Sequence, residues 1–300
     1  MLQFKKIDIN DFEIYKKYSD DTNEFSCENS FVNLLVWQSA YNNMLAICDD
    51  LMIIKSNDDN IETFRLPLGD NFERGIELIK EYCGERTPEF WTQQGDLLEQ
   101  FKSTLQNEYV FEENRDAFDY IYLQSDLAEL GGKKYHSKRN HINTFSKKFN
   151  WRYEKINENN LQKVKDCANK WYLENIDRVD SYMQCEKRGV FTILNNMQTL
   201  GVKGGAIIVK DEVVAFTLGS PINSNVFDIH VEKALKDYSE AYTVINNQFA
   251  KNELSDYKYI NREDDMGLEG LRKAKLSYKP HILLKKYHCY KKHDTENKNG

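Results

Sequence analysis

Hydrophobic and polar positions alternate in short blocks that predict strands, polar turns and amphipathic helices. In the first half, the blocks at 44–48, 51–55 and 62–66 predict an antiparallel meander of three strands. Residues 71–82 carry apolar side chains at steps of three and four, which is typical of one helix face, and Gly84 is placed to end that helix. The first half is therefore predicted to be a mixed α/β unit.

The second half repeats this mixture of strands and helices. A hairpin is predicted because 206–209 and 213–218 flank a polar turn, and the next strand is expected at 226–231. A helix is expected at about 185–200, and 281–290 is expected to be one final strand. Because the halves share an order of elements, the predicted fold class is α/β with two tandem mixed-sheet domains.

A basic helical segment separates the halves and sets the predicted domain boundary near Asn150. The N-terminal domain is assigned to residues 1–150 and the C-terminal domain to residues 151–290. The polar residues 291–300 are expected to form a disordered tail.

Composition and charge exclude several classes of protein. Of 300 residues, 40% are hydrophobic and 30% charged, which is typical of a globular protein rather than a disordered one. The formal net charge of −7 excludes a surface that attracts polyanions everywhere, so a nucleic-acid site must be a local patch. The basic segment at 133–148 offers such a patch, and Lys134, Lys138 and Arg139 are its candidate binding residues.

The chain shows no sign of a membrane span or a metal site. No run approaches the ~20 apolar residues that cross a bilayer, and the first residues lack the apolar core of a signal peptide. We therefore expect a cytoplasmic protein with no integral membrane segment. The six cysteines are scattered singly, so reduced thiols and no metal are expected.

The strand that begins at Val226 carries three ionisable residues at alternating positions. Because side chains in a strand alternate between faces, Asp228, His230 and Glu232 are expected to share one face. His230 or Glu232 could then act as general base for an incoming amine, which must lose a proton to be nucleophilic. The alternative is a salt-bridged or solvent-facing strand surface.

Two loops after this strand offer substrate contacts. The loop at 236–241 opens a helix, where free backbone N–H groups and Lys236 would attract a phosphate. The loop that starts at Asn261 holds Arg262 and Glu263, and loops at strand ends often bind substrate. Its alternative role is structural, with Arg262 paired to a carboxylate and Glu263 or Asp264 capping the next helix.

The order of these segments resembles the phosphatidylglycerol lysyltransferase C-terminal family. The resemblance rests on Ile229-His-Val-Glu-Lys-Ala234, on Ala241-Tyr-Thr-Val-Ile-Asn-Asn-Gln-Phe-Ala250, and on Asn261-Arg-Glu-Asp-Asp-Met-Gly-Leu-Glu-Gly-Leu-Arg-Lys-Ala-Lys275 followed by Pro280. That family is similar to the Fem-type aminoacyltransferases and implies two GNAT-like domains in tandem, of which the second is active. The related lipid-modifying enzymes carry a multispan membrane domain before this region, and this sequence shows no such domain. The resemblance therefore does not imply a lipid acceptor.

The resemblance also implies where an acyl donor would bind. The hairpin and the strand from Asp228 to Glu232 would splay apart, and 236–241 would be the pyrophosphate loop, with Lys236, Ser239 and Ala241 as candidate contacts. Ser239 stands where such loops usually carry glycine, which favours aminoacyl-tRNA over coenzyme A as donor. Backbone amides near Thr217 and Gly219 are the candidate oxyanion donors.

We therefore expect an acyltransferase or aminoacyltransferase. It would move an acyl group from acyl-CoA or aminoacyl-tRNA to an amine or hydroxyl acceptor, which is a small molecule or a peptide. Glu232 or His230 would be the base, while Asp228, Asn261, Arg262 and Glu263 would contact substrate. The alternative is a non-catalytic module that binds a nucleotide, tRNA or small ligand. No nucleophilic Ser or Cys constellation is legible in the sequence, and this favours the alternative.

Overall fold

The computed structural model describes residues 2–19, 23–58, 60–105, 107–176 and 181–292. Within these ranges the chain forms two seven-stranded mixed sheets with helices packed against them, which confirms the predicted α/β class. The predicted disordered tail falls almost entirely on residues 293–300, which lie outside the described residues.

The elements are numbered here in chain order. The strands are β1 (Lys5–Lys6), β2 (Met44–Cys48), β3 (Leu51–Asp58), β4 (Ile61–Arg65), β5 (Glu89–Gln93), β6 (Tyr109–Glu113), β7 (Asp119–Leu123), β8 (Trp151–Lys155), β9 (Lys203–Val209), β10 (Glu212–Pro221), β11 (Val226–Ala234), β12 (Tyr259–Asn261), β13 (Ile282–Leu284) and β14 (Lys286–Lys291). The helices are α1 (Phe12–Ser19), α2 (Phe31–Val36), α3 (Gln38–Tyr41), α4 (Phe72–Cys83), α5 (Asp96–Leu105), α6 (Gln124–Glu129), α7 (His136–Lys148), α8 (Leu161–Glu174), α9 (Ser181–Asn195), α10 (Ala241–Glu253) and α11 (Glu269–Leu276).

The first sheet has the order β1-β2-β3-β4-β5-β14-β6 and contains the predicted meander of β2, β3 and β4. Its core is rich in aromatic rings, and Phe90 and Phe101 meet edge to face with centroids 4.8 Å apart. Burying a side chain of this size contributes about 1.5–3 kcal/mol. Helix α4 ends as predicted at Gly84, which has φ +62° and donates its N–H to the carbonyl of Lys80.

The second sheet has the order β13-β7-β12-β11-β10-β9-β8 and includes the predicted hairpin of β9 and β10. Helix α10 packs on one face through residues such as Val244 and Phe249. Helices α8 and α9 pack on the other face through Val164 and Ile193, together with parts of the first half of the chain. Both faces are therefore covered, and polar groups inside must find partners.

The two sheets exchange strands. β7 belongs to the first half of the chain but pairs with β12 and β13 in the second sheet, while β14 lies between β5 and β6 in the first sheet. The prediction of one final strand at 281–290 is therefore wrong, because the chain leaves one sheet after Leu284 and enters the other at Lys286. The predicted boundary near Asn150 stays a prediction. Each sheet contains strands from both sides of that boundary.

One smaller expectation also differs from the structure. The helix expected at about 185–200 is α9, which ends at Asn195, and a hydrogen bond from the N–H of Val202 to the carbonyl of Met197 closes the following turn. Among the described residues no helix is long and apolar enough to cross a membrane.

Candidate functional site at the β11–β12 divergence

A β-bulge in β11 decides where the candidate catalytic side chains point. Leu218 pairs with Val231 and Gly219 pairs with Ile229, so His230 is an extra residue without a partner on β10. One extra residue reverses the alternation of side chains beyond it. The prediction that Asp228, His230 and Glu232 share one face is therefore wrong. Asp228 and His230 lie on the face of the sheet that meets Glu263, and Glu232 lies on the face covered by α10.

Gly219 allows the two strands to approach at this bulge. A Cβ atom on Gly219 would occupy the space of the carbonyl oxygen of Asp228 and press on the ring of Phe227. Gly219 was expected to contribute a backbone amide to a cofactor or oxyanion site. Its neighbours assign it a packing role, because only glycine permits this close contact.

We expect Gly219→Ala to lower the free energy of unfolding by about 1–3 kcal/mol, the usual range for an overpacked site. Urea unfolding followed by circular dichroism measures this. Gly270→Ala is the matched control, because a Cβ atom there meets nothing within 4 Å. Equal stability of Gly219→Ala and the parent chain would contradict the packing role.

His230 lies in a hydrogen-bonded chain of three side chains. Its Nε2 atom is 2.8 Å from the hydroxyl of Ser220, and its Nδ1 atom is 3.1 Å from Oε1 of Glu263. Asn33 donates to the same carboxylate oxygen at 3.0 Å, and the hydroxyl of Ser30 is 3.3 Å from that of Ser220. An Nδ1–H that donates to Glu263 leaves Nε2 to accept the Ser220 proton. This constellation of Ser, His and Glu corrects the expectation that none exists.

Asp228 is buried beside the hydrogen-bonded side chains of Ser220, His230 and Glu263. Its Oδ2 atom is 3.4 Å from Nδ1 of His230, and neither carboxyl oxygen has a hydrogen-bond partner in the described part of the chain. Burial raises the pKa of Asp228 well above its usual value, and the nearby carboxylates of Glu263 and Asp119 raise it further. The neutral acid is therefore favoured.

Asp228, His230 and Glu263 also form a set that could hold a metal ion. One ligand atom from each lies within 4.8 Å of the others. Ligation through Nδ1 of His230 would require its lone pair and would replace the hydrogen bond to Glu263. The Ser220–His230–Glu263 chain and a bound metal therefore exclude each other.

On the opposite face, Glu232 is held as an ion pair. Its two carboxylate oxygens accept hydrogen bonds from Arg262 at 2.8 Å and from Asn246 at 3.1 Å. Arg262 also lies over the ring of Tyr278, 4.7 Å from its centroid. The expected pairing of Arg262 with a carboxylate is confirmed, with Glu232 on β11 as the partner. The expected cap by Glu263 or Asp264 is wrong, because Leu268 precedes α11 and no side chain caps it among the described residues.

Lys138 lies in the same cluster. Only 7% of the surface of Lys138 is exposed to solvent, and its ammonium nitrogen is 3.6 Å from the centroid of the Tyr278 ring. Burial, and then the positive charge of Arg262, lower the pKa of Lys138 to about 8. Lys138 was expected to be part of a surface patch, and this is wrong because α7 turns it inward.

The other two candidate residues of the expected patch, Lys134 and Arg139, bind neighbouring parts of the chain. Lys134 pairs with Asp126 at 3.0 Å, and Arg139 donates to the carbonyl groups of Leu130 and Gly132. Their charges are thus partly used for structure. The patch as a polyanion site stays a prediction.

The second sheet opens between β11 and β12. The two strands pair in parallel only from Val226–Tyr259 to Asp228–Asn261, and β11 continues beyond that point. His230 and Glu232 flank the divergence from opposite faces. The expected splay between the hairpin and β11 is wrong, because β10 and β11 stay paired from Ala215–Ala234 to Pro221–Phe227.

The expected oxyanion donors lie in a central strand of the second sheet. β10 lies between β9 and β11, so Thr217 and Gly219 face partner strands on both sides. The hydroxyl of Thr217 donates to the carbonyl of Val231 at 2.8 Å. These residues therefore hold the sheet together at the bulge.

The expected phosphate loop carries a carboxylate at the start of α10. Glu240 immediately precedes the helix and pairs with Lys148 at 2.7 Å, while the hydroxyl of Ser239 donates to Glu240. Lys236 donates its backbone N–H to the carboxylate of Glu174 at 2.9 Å, and its ammonium donates to the carbonyl of that residue. Ala241 is buried. Lys236 is thus directed to the end of α8 and away from the start of α10.

Asn261 and Lys275 fix the loop that carries Arg262 and Glu263. Asn261 donates to Asp119 at 2.9 Å and to the carbonyl of Phe25 at 2.7 Å, and its own side-chain oxygen accepts the N–H of Glu263. The buried ammonium of Lys275 donates to the carbonyl groups of Arg262, Glu263 and Asp264. Glu263 adopts φ +57°, a strained backbone for a non-glycine residue that these contacts hold in place.

With this geometry in view, comparison with known proteins gives the family. The family model described as "Phosphatidylglycerol lysyltransferase, C-terminal" matches residues 20–290. The chain belongs to the phosphatidylglycerol lysyltransferase C-terminal family. The predicted resemblance is thereby confirmed.

Several proteins are similar over most of the chain. A conserved protein of unknown function from Bacteroides thetaiotaomicron shares 34% identity at a TM-score of 0.90, with 96% of this chain and 99% of that chain covered. L-PGS from Bacillus licheniformis shares the fold at 16% identity and a TM-score of 0.65, with 96% and 93% covered. FemX does so at 7% identity and a TM-score of 0.55, with 95% and 96% covered.

A curated relative from Mycoplasmoides gallisepticum, an uncharacterized protein, is 28% identical over 197 residues. The match covers 64% of this chain and 61% of that relative, so the chain spans under two thirds of the relative's length.

In this member of the lysyltransferase C-terminal family, sequence reasoning missed several residues of the site. These residues come from distant parts of the chain, so their meeting depends on the fold: Ser30 caps α2, Asn33 lies in α2, Ser220 lies near the end of β10, and Lys275 lies in α11. The pair Gly219-Ser220 was the available signal, because a glycine inside a strand often marks a bulge.

Proposed function

We propose that this chain transfers an acyl group, by preference an aminoacyl group, from an ester donor to an amine or hydroxyl acceptor. The observation that carries the proposal is the Ser220–His230–Glu263 chain, with 2.8 Å and 3.1 Å contacts beside the β11–β12 divergence. A base within hydrogen-bond reach of a hydroxyl and oriented by a carboxylate is the arrangement that proton transfer requires.

In the proposed reaction the acceptor amine attacks the carbonyl carbon of the donor ester. A carbon–nitrogen bond forms, and the carbon–oxygen bond to the leaving hydroxyl breaks. Nε2 of His230 takes the amine proton through the Ser220 hydroxyl and returns it to the leaving oxygen. Glu263 accepts the Nδ1–H and stabilises the imidazolium that forms in between.

The role of Glu232 is proposed to be positioning. Both of its carboxylate oxygens accept hydrogen bonds, from Arg262 and Asn246, which leaves His230 as the better base. Glu232 would instead hold Arg262 at the divergence, where a guanidinium can orient a polar substrate group.

The start of α10 favours an aminoacyl ester over a coenzyme A thioester as donor. A pyrophosphate would need free N–H groups and unpaired positive charge there, but Lys148 is already paired with Glu240 and Lys236 donates to Glu174. The family description names lysyl transfer, which agrees with aminoacyl-tRNA as the donor class. The acceptor is proposed to be a small-molecule or peptide amine, or a hydroxyl.

A transfer assay tests this proposal. The full chain is mixed with aminoacyl-tRNA or acyl-CoA, each labelled in the acyl group, and with a panel of free lysine, glycylglycine and phosphatidylglycerol vesicles. We expect labelled product above the protein-free rate with aminoacyl-tRNA and little with acyl-CoA. Binding of a donor without product for any acceptor would support the non-catalytic module instead.

A further inference from the structure

Two buried cations on the α10 face of the second sheet lack sufficient anionic partners. Lys138 is 7% exposed, and apart from the ring of Tyr278 it has no hydrogen-bond or ion-pair partner in the described part of the chain. Arg262 binds Glu232 through Nη2, but its buried Nη1 has no hydrogen-bond partner among the described residues. A guanidinium half satisfied in this way is rare inside a protein.

The charges around Tyr278 do not balance. Arg262 and Lys138 both lie over its ring, at 4.7 Å and 3.6 Å from the centroid, while Glu232 is paired with Arg262 alone. A buried charge without a counter-charge is destabilising. The lowered pKa of Lys138 has the same cause, first burial and then repulsion from Arg262.

A surface depression lies between α7 and the start of α10. It has a volume of about 410 Å³ and is lined by His141, Thr144, Ser239 and Glu240. Nδ1 of His141 is 3.3 Å from the hydroxyl of Thr243, which also accepts the Tyr278 hydroxyl proton at 3.3 Å. The wall of the depression is thus connected through Thr243 to the ring on which both cations lie.

We propose that Lys138 and Arg262 form a binding site for an oxyanion, a carboxylate or phosphate group of a ligand that enters between α7 and α10. Such a group accepts hydrogen bonds from the free Nη1 of Arg262 and from the Lys138 ammonium, and its charge balances the cluster. This site names one chemical group of the substrate in the proposed function. The site itself is argued independently, and only the statement that its ligand is a transferase substrate rests on the proposed function.

Direct titration of the full chain tests the site. Inorganic phosphate and acetate are each titrated by isothermal calorimetry at constant ionic strength near pH 7. Lys138→Gln removes the buried charge, and Lys147→Gln removes an exposed charge from the same helix as the matched control. We expect saturable binding by the parent chain and by Lys147→Gln, and at least tenfold weaker binding by Lys138→Gln.

The pH dependence gives a second readout. Lys138 faces Arg262 and Glu232, and Arg262 stays charged, so we expect binding to weaken as the pH rises through about 8 and Lys138 loses its proton. Saturation by phosphate alone identifies a phosphate ligand, saturation by acetate alone a carboxylate, and either supports the site.

The proposal is overturned if neither anion saturates the parent chain, or if Lys138→Gln binds as tightly as the parent. Should circular dichroism show Lys138→Gln to be unfolded, Arg262→Lys replaces it, since this change keeps the charge but removes the guanidinium fork, and the same tenfold loss is expected. Because no donor or acceptor is present, the result is independent of transfer activity. Anion binding with no transfer would leave this site standing while the transferase proposal fails.

Discussion

Replacing His230 by glutamine is expected to lower the rate of aminoacyl transfer by about 10²- to 10⁴-fold, the usual contribution of a positioned base. Glutamine keeps a polar group near Ser220 and Glu263 but cannot take a proton. The rate is measured with labelled aminoacyl-tRNA and whichever acceptor gives product. Unfolding in urea, measured in parallel, shows that the variant is folded.

His288→Gln is the matched control for this change. His288 lies on β14 in the first sheet, and its Nε2 is 2.7 Å from Glu89, so it makes a similar contact to a carboxylate away from the divergence. We expect its transfer rate to stay within twofold of the parent. If both histidine variants keep the parent rate, His230 is not the base.

Replacing Lys286 by methionine is expected to lower the free energy of unfolding by about 3–5 kcal/mol, the usual effect of breaking a buried ion pair. Lys286 and Asp119 are both fully buried and 2.8 Å apart, and Lys286 also binds Glu28 at 3.2 Å. Burial alone would lower the pKa of Lys286, but Asp119 and the other anionic neighbours raise it well above its usual value. The ammonium therefore stays charged, and its loss leaves Asp119 uncompensated.

The neighbouring lysine provides the control. Lys285 pairs with Glu113 on the surface, with 45% of its side chain exposed, so Lys285→Met should change stability by less than about 1 kcal/mol. The double variant Lys286→Met/Asp119→Leu removes both charges and should recover much of the loss. A loss from Lys286→Met no larger than that from Lys285→Met would mean that the buried pair contributes little.

Most elements of the fold could be predicted because they depend on local pattern. The hairpin of β9 and β10 follows from two apolar runs around a polar turn, and α4 follows from its helical spacing and Gly84. What could not be predicted is which sheet a strand joins. Nothing in 281–290 distinguishes one strand from two, because the change of sheet depends on Asp119 receiving Lys286.

The sequence predicted many residues of the site but not how they are arranged. His230, Glu232, Arg262, Glu263 and Lys138 were all singled out, but they belong to two clusters on opposite faces of the sheet. A strict alternation along β11 could not reveal this, because the bulge at His230 depends on the pairing of β10 with β11. The sequence predicts Lys138 to be a surface charge, because its burial depends on how α7 packs over Tyr278.

The exchange of strands between the sheets has a consequence for synthesis of the protein. In the described chain β6 pairs only with β14, so residues 109–113 find no sheet partner until residues 286–291 have left the ribosome. A nascent chain cannot complete its first sheet before residues 286–291 have emerged, and products that stop before residue 286 expose an unpaired strand edge. Chaperones and proteases could recognise such products by that edge.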